Sequence, residues 1–508
     1  MLAAVRSATL FGVEGRPVTV EVHVAAGLPS FQMIGLPDAV CREARDRVRA
    51  AMLSIGLQWP AKRITVNLAP SHERKAGSGL DLAIAVGVLA ASDQLPLHEV
   101  ERHTFIGELG LDGALRPVPG IAPMLAALRV DGEAVRPVLA TRGFREAQGV
   151  VGDEVRVGST LTDVVLALRG EMPWPAPPDD ELVDDTPPVP DLADVRGQWA
   201  ARTGLELAAA GGHHLLLVGP PGSGKTMLAQ RLPGLLPPLD PARSLETTMI
   251  HSAAGVRLPA GGLVRTPPFR APHHSSTMVA LVGGGSQSLR PGEVSMANGG
   301  VLFLDELGEF SPVVLDALRQ PLEEGVIRLA RARAAATVPA QFLLVAATNP
   351  CPCGGGPPGS CECDDTARLR YLRRLSGPLL DRFDLRVPVQ RPGVDDLLST
   401  GGGEPTVVVA ERVGAARARS IERIGMTSAE IPASKLDALA PVDDAARRLL
   451  RTQLERDSLT GRGYHRIRRV ARTIADLTGD HEVVGEDHVA LALQLRVSLR
   501  VSTRWHAA

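Results

Sequence analysis

The sequence predicts an α/β protein in three parts: an N-terminal αβ domain, a P-loop α/β core and a C-terminal helical lid. Three observations carry this expectation. The apolar run Leu215–Val218 leads into Gly219-Pro220-Pro221-Gly222-Ser223-Gly224-Lys225-Thr226 and then into a helical run from Met227 to Leu232. That is the strand–loop–helix setting a phosphate-binding loop needs. Over residues 1–170, strand-like and helix-like segments alternate. Past residue 406 the pattern turns almost wholly helical, with arginine-rich helices near Asp443–Leu454 and Gly463–Leu477.

Taken in order, Val18–Ala25 and Arg63–Leu68 have strand character, whereas Asp38–Ile55 and Gly79–Ala91 carry helical apolar spacing. Residues 171–191 are rich in proline and acid and lose all apolar periodicity, as an extended linker does. The core then spans residues 192–394, Gly401-Gly402-Gly403 marks a break, and the helical part covers 406–508. There are no internal repeats. The 508 residues allow roughly two to four domains, each with its own apolar core.

Composition narrows the function classes. Net charge is −2, so any nucleic-acid surface must be local. The lysines are Lys62, Lys75, Lys225 and Lys435, and the remaining basic charge is arginine. Aromatics make up only 3 %, which disfavours extended base-stacking platforms. No basic–apolar–cleavage pattern opens the chain and no apolar run approaches the ~18 residues of a membrane span. The longest such run, Leu82–Ala91, is broken by Gly87 and fits a core helix. A cytoplasmic protein with no membrane partner and reduced cysteines is expected.

The core's residues define a chemistry. P-loop glycines let backbone N–H groups curl around phosphate oxygens, helped by the helix N-terminus. Lys225 suits the β- and γ-phosphates, and the Thr226 hydroxyl suits Mg²⁺. The apolar strand within Gly299–Glu306 ends in Asp305, a Mg²⁺ ligand, and Glu306, which can polarise an attacking water. Without a P-loop, such a pair could be only a strand followed by a helix cap. Phe342–Thr348 delivers Asn349, whose amide can orient water against the γ-phosphate or simply form a turn before Pro350. Arg382, in Leu375–Asp384, is the residue type that stabilises transferred phosphate charge, here from a neighbouring subunit.

Three further features stand out. Cys351, Cys353, Cys361 and Cys363 form two C-x-C pairs within 13 residues across a Gly/Pro-rich loop, which suits a structural, tetrahedral Zn²⁺. A redox pair or bare loop thiols are the alternatives, and Cys41 reads as buried filler. Gly325–Ala340 alternates short apolar residues with arginine and predicts a β-hairpin carrying Arg328, Arg331 and Arg333. These can contact phosphates without reading sequence, or merely be solvated. Pro267–Met296 is too long and glycine-rich for a simple helix-to-strand connection. Its His273 and His274 suit DNA, a neighbouring subunit, or core and capping roles.

The order P-loop, Asp305-Glu306, Asn349, Arg382, helical C-terminus resembles an AAA+ ATPase. Closer marks are Asp194-Val195-Arg196-Gly197-Gln198, Phe269-Arg270-Ala271-Pro272-His273-His274-Ser275, Pro291-Gly292-Glu293, the cysteine group and Gly463-Tyr464-His465-Arg466. With these, essentially the whole chain resembles the YifB/ComM family of magnesium-chelatase-like AAA+ ATPases. The resemblance implies ATP and Mg²⁺ as cofactors, a homohexameric ring, Arg382 as arginine finger and a hairpin pointing into the pore. It places the sensor-2 arginine at Arg462, in Thr460-Gly461-Arg462, with Arg466 as the alternative. It implies a DNA helicase that promotes branch migration of recombination intermediates in natural transformation or homologous recombination. Its partners would be single-stranded or branched DNA and recombination proteins; a chelatase-type motor remodelling a protein partner is the alternative. In the N-terminal part, Lys75–Ala83 followed by an apolar helix resembles the Lon-protease (S5-type) fold. Ala122 stands where that fold's catalytic lysine is expected, so Ser78 has no amine to take its proton and no protease activity is expected.

Overall fold

The computed structural model describes residues 1–497 apart from 130–134, 179–187, 286–288, 332–333, 356–360, 365, 368–369, 372–374, 376, 399–401, 457–458 and 480. Arg333 therefore lies outside the described residues. No described helix is long and apolar enough to cross a membrane.

The N-terminal part is built on β1 (Leu2–Phe11), β2 (Glu14–Ala25), β3 (Ser30–Ile34), α1 (Ala39–Ser54), β4 (Arg63–Ala69) and α2 (Asp81–Ala91), then β5 (Thr104–Phe105), α3 (Ile121–Leu128), β6 (Pro137–Ala140), β7 (Arg156–Gly158) and α4 (Leu161–Leu168). These seven strands form one sheet in the order β3-β4-β2-β1-β5-β6-β7, and a short antiparallel pair, Glu108–Leu109 with Leu115–Arg116, lies apart from it. Alternation explains the long strands: Val18, Val20, Val22 and Val24 all turn inward from β2. Asp38 caps α1 by accepting a 2.8 Å hydrogen bond from the Cys41 N–H. Helix α2 is buried along its whole length and apolar after Asp81, whose carboxylate pairs with Arg47 at 2.7 Å. The proline- and acid-rich linker is docked at both ends. Trp174 packs against His103 with ring centroids 5.4 Å apart, and the Asp191 carboxylate accepts the Thr406 N–H at 2.8 Å.

The central part runs through α5 (Trp199–Gly211), β8 (Leu215–Val218), α6 (Lys225–Ala229), α7 (Pro241–Ala254), β9 (Phe269–Arg270), β10 (Val301–Leu304), β11 (Val326–Arg331), β12 (Ala334–Pro339), β13 (Leu343–Thr348) and β14 (Leu385–Pro388). A five-stranded sheet takes the order β9-β10-β13-β8-β14, with every neighbouring pair parallel. Strands β8, β10 and β13 are buried on both faces, which is why they read as unbroken apolar runs. Two expectations change. Helix α6 stops at Ala229 and gives way to a 3-10 turn, Leu232–Leu235, because Pro233 supplies no N–H to extend a helix. Pro267–Met296 is only partly an insertion, since Phe269–Arg270 pairs with β10 as the edge strand of the core sheet.

The predicted hairpin is present: β11 and β12 pair antiparallel, with Arg328 opposite Thr337. Ile327, Leu329 and Val338 on one face join an apolar cluster that includes Val13, from the β1–β2 turn. Arg328 is exposed and forms a 2.6 Å ion pair with Glu324. A second bridge between the N-terminal and central parts is the half-buried Glu146 carboxylate. It accepts hydrogen bonds from the Ala122 N–H, at 2.7 Å, and from the Ser252 hydroxyl of α7, and burial raises its pKa.

Helices α8 (Thr406–Ile424), α9 (Asp444–Glu455), α10 (Gly461–Thr478) and α11 (Glu486–Gln494) form the C-terminal part. Their apolar faces share one core with α5 and strands β8 and β14. The tie between helices and sheet is Asp384, just before β14 and almost wholly buried. It accepts from Arg466 of α10 and lies 3.5 Å from His213 Nδ1. Arg466 also donates to the Arg382 carbonyl at 2.9 Å. Burial alone would raise the Asp384 carboxyl, but His213 and Arg466 outweigh it and hold it well below the usual carboxylate range. Removing one member of such a buried pair leaves the other uncompensated. Asp384→Ala should therefore lose roughly 3–5 kcal/mol in urea unfolding. A depressed carboxyl stabilises the fold above its unfolded-state pKa and stops doing so as pH falls through the folded value. The stability gap between wild type and Asp384→Asn should thus be constant above about pH 5 and shrink below it.

Candidate functional site

The C-terminal ends of β10, β13 and β8 lie side by side, and each delivers part of one site. After β8 the loop Gly219–Thr226 turns into α6, with Gly222 and Gly224 at φ +74° and +86°. Those positive φ values aim successive N–H groups inward, forming an anion nest that the N-terminus of α6 completes. Lys225 is buried, and its ammonium donates to the carbonyls of Gly219 and Pro220, both at 2.9 Å, and to Asn349 Oδ1 at 3.2 Å. Burial pushes the Lys225 pKa down while Asp305 and Glu306 pull it back up. The Thr226 hydroxyl donates to Asp305 Oδ2 at 2.6 Å. Sequence reasoning named these residues from three separate segments, and the fold brings them together. Hydroxyl and carboxylate oxygens at one point suit a hard cation such as Mg²⁺. The nest beside them suits the phosphates that such an ion accompanies.

Glu306 follows Asp305 in a left-handed conformation, φ +52°, which non-glycine residues seldom adopt. That turn sends its carboxylate away from the strand and within 3.2 Å of His274 Nδ1. Thr226, Phe269, His274, Phe303, Asp305 and Glu306 line a cavity of about 280 Å³. His274 is thus a site residue whose role sequence left open. Four residues past edge strand β9, His274 reaches the end of β10 because the two strands are neighbours. Arg270 fixes the exit of β9 through two hydrogen bonds to Glu293, at 2.7 and 2.8 Å. Sequence reasoning also gave no role to Gln198, which braces the loop by donating to the Ser223 carbonyl at 3.3 Å.

The arginines divide by environment. Arg382 pairs with Glu323. Burial, together with the charges of Arg466, Arg462 and Arg319, lowers its pKa. No described hydrogen bond or ion pair joins it to the pocket of its own chain. Arg462 is exposed on the first turn of α10, whereas Arg466 is committed to Asp384.

Beyond Asn349 the four cysteines converge. Cys351 Sγ lies 3.4 Å from both Cys353 and Cys361, Cys353 lies 3.5 Å from Cys361, and all four sulfurs fall within 4.8 Å of one another. Four thiolates at the usual Zn–S bond length sit about 3.8 Å apart at tetrahedral corners, so the donor set fits Zn²⁺. The Gly355 N–H and the Cys351 thiol lower the Cys353 pKa to about 6, while burial raises that of Cys351. In the N-terminal part Ser78 donates to the Glu108 carboxylate. The buried Lys75 ammonium instead serves the backbone carbonyls of Pro70 and Glu73.

Comparison with known proteins gives three family matches. "Magnesium chelatase, subunit ChlI" covers residues 191–397, "Subunit ChlI of Mg-chelatase" covers 20–138, and "Magnesium chelatase, subunit ChlI C-terminal" covers 403–496. An uncharacterized protein of Mycobacterium tuberculosis is 47 % identical over 96 % of this chain and 97 % of its own. Competence protein ComM of Haemophilus influenzae is 42 % identical over 98 % of each chain. The uncharacterized protein YifB of Escherichia coli is 41 % identical over 97 % of each. The geometry predicts that Lys225→Ala weakens binding of a fluorescent ATP analogue at least about thirtyfold, through loss of roughly 2 kcal/mol of charge-assisted hydrogen bonding. Affinity kept within threefold would remove Lys225 from the phosphate site.

Proposed function

Because the chain belongs to the magnesium-chelatase-like AAA+ family that contains YifB and ComM, we propose that it is an ATP-driven, homohexameric DNA helicase that promotes branch migration of recombination intermediates. Family membership makes it an AAA+ ATPase; the DNA substrate is our own reading. One feature supports it most: a hairpin that buries one face and exposes Arg328 from the other. The competence description of the Haemophilus relative adds to that support. The DNA would be single-stranded or branched, in natural transformation or homologous recombination, with recombination proteins as partners and the cytoplasm as the site of action.

In this reading nucleotide lies between two chains of the ring. Gly219–Thr226, Asp305 and Glu306 belong to one chain, and Arg382 reaches in from the next. Thr226 and Asp305 would hold Mg²⁺, which would supply charge neutralisation at the phosphates. Lys225 leaves two neutral carbonyls for anionic phosphate oxygens, the stronger acceptors. Glu306, released from His274, takes a proton from the attacking water that Asn349 orients. Arg462 senses the γ-phosphate from α10. Within its own chain Arg382 pairs with Glu323, on the short helix Arg319–Glu324 that feeds directly into β11. Exchange of Glu323 for phosphate therefore pulls on the root of the hairpin, and Arg328, Arg331 and Arg333 move along a DNA backbone. Cys351, Cys353, Cys361 and Cys363 would hold a structural Zn²⁺. Residues 1–170 are read as a Lon-like (S5-type) fold without a Ser–Lys dyad, 171–191 as a linker, 192–394 as the ATPase core and 406–508 as the lid.

The match of residues 191–397 to a magnesium chelatase subunit favours a second reading, in which the motor remodels a protein partner. ATPase rates measured without DNA and with single-stranded, duplex and four-way-junction DNA separate the two, with Lys225→Ala as the blank. Stimulation by single-stranded or junction DNA is expected, and indifference to every DNA would turn the reading toward protein remodelling. Glu306→Gln should bind nucleotide normally and lose about 10²- to 10⁴-fold in turnover. Wild-type turnover in that variant would refute the general-base role.

A further inference from the structure

The cysteine cluster sits against the nucleotide site, and the chain between them is too short to move independently. Strand β13 ends at Thr348, whose carbonyl accepts the Gly219 N–H at 3.1 Å. The next residue, Asn349, holds Lys225. Two residues on comes Cys351, which is buried. The loop then folds back onto the phosphate-binding loop. At Gly354, φ +91°, an added Cβ would fall 2.6 Å from Pro221 Cδ, so the cysteine loop's backbone rests directly on Pro221. Tyr371, eight residues past Cys363, closes the frame with a 3.0 Å hydrogen bond between its hydroxyl and that of Thr348.

We propose that the four-cysteine cluster is a metal-dependent positioning element of the nucleotide site, so that metal and nucleotide bind cooperatively. This rests on the readings of the cluster as a metal site and of Gly219–Thr226 as a nucleotide site. A metal bound by Cys351, Cys353, Cys361 and Cys363 cross-links the two C-x-C pairs and stiffens the turn at Pro350. That turn fixes Asn349 on one side of Lys225, and the Gly354 backbone fixes Pro221 on the other. Without the cross-link, nucleotide binding must itself order the loop, and affinity falls by that cost. Linkage makes the effect reciprocal: nucleotide must tighten metal binding by the same factor, about fivefold to a hundredfold for a coupling of ordinary size. The cysteines are positioning residues here and do not touch the nucleotide.

The test uses the full chain, stripped by chelator and reloaded with Co²⁺, whose thiolate complexes carry visible ligand-field bands. ADP serves as nucleotide, so turnover plays no part. We expect ADP to shift the cobalt bands, and the stripped protein to bind ADP fivefold to a hundredfold more weakly than the loaded one. Cys353→Ser should reproduce the weak binding, and Cys353→His, which keeps a metal-ligating side chain, should restore it. Gly354→Ala should keep cobalt while weakening ADP, because its Cβ meets Pro221 and no thiol is lost; circular dichroism confirms that each variant is folded. Equal ADP affinity in stripped, loaded and Cys353→Ser protein would overturn the coupling and leave both underlying readings standing. Failure to take up cobalt would overturn it together with the metal reading. Failure of the loaded wild type to bind ADP would overturn it together with the nucleotide reading.

Discussion

Parallel pairing of β8 with β13, and of β13 with β10, is the constraint on which the nucleotide site depends. The register sets Val218 beside Thr348 and Leu304 beside Ala346. Three strands therefore end at nearly the same level, and the residues after them share one ledge. Lys225, Asn349, Thr226 and Asp305 are 124 and 79 residues apart in chain, yet join through hydrogen bonds of 2.6 to 3.2 Å. A one-residue slip of β13 would turn its side chains to the opposite faces and carry Asn349 away from Lys225. Burial on both faces resists this, because each side chain would have to fit a space packed around another.

Several arginines of the C-terminal part serve as internal ties. The arginine-rich pattern of Gly463–Leu477 could suggest a nucleic-acid surface, but Arg468 and Arg472 are buried. Arg468 donates to the carbonyls of Leu436 and Ala440, and Arg472 pairs with Asp476. Arg412 bridges Glu206 of α5 and Glu404 ahead of α8. A guanidinium presents five donors in a rigid planar fork, a geometry that the lysine ammonium lacks. A near-neutral chain can thus be arginine-rich without presenting a broad cationic face.

Site and support are coupled at several points. Glu306 stands between Asp305 and His274, Arg382 between Glu323 and the Arg466–Asp384 tie, and Asn349 between Lys225 and the cysteine loop. Each catalytic candidate is thereby held by an element that also reaches a different part of the chain.

Local sequence alone determined the elements whose signal is local. Gly219–Thr226 with its flanks specified a strand, a nest and a helix. The acids after Val301–Leu304 and the amide after Leu343–Thr348 were legible because apolar runs of that length must be buried strands. The C-x-C pairs announced a thiolate cluster through spacing alone. Tertiary structure decided what depends on neighbours far apart in sequence. It showed that Phe269–Arg270 is the edge strand, which alone lets His274 meet Glu306. It committed Arg466 to the buried Asp384 while leaving Arg462 exposed, a difference of one helical turn that periodicity could not resolve. It set Gly354 on Pro221, a contact between two glycine- and proline-rich loops with no side-chain pattern to betray it. The physical reason is the same in each case: strand and turn propensities act within a few residues, whereas burial and charge pairing are settled only when separate segments compete for the same space.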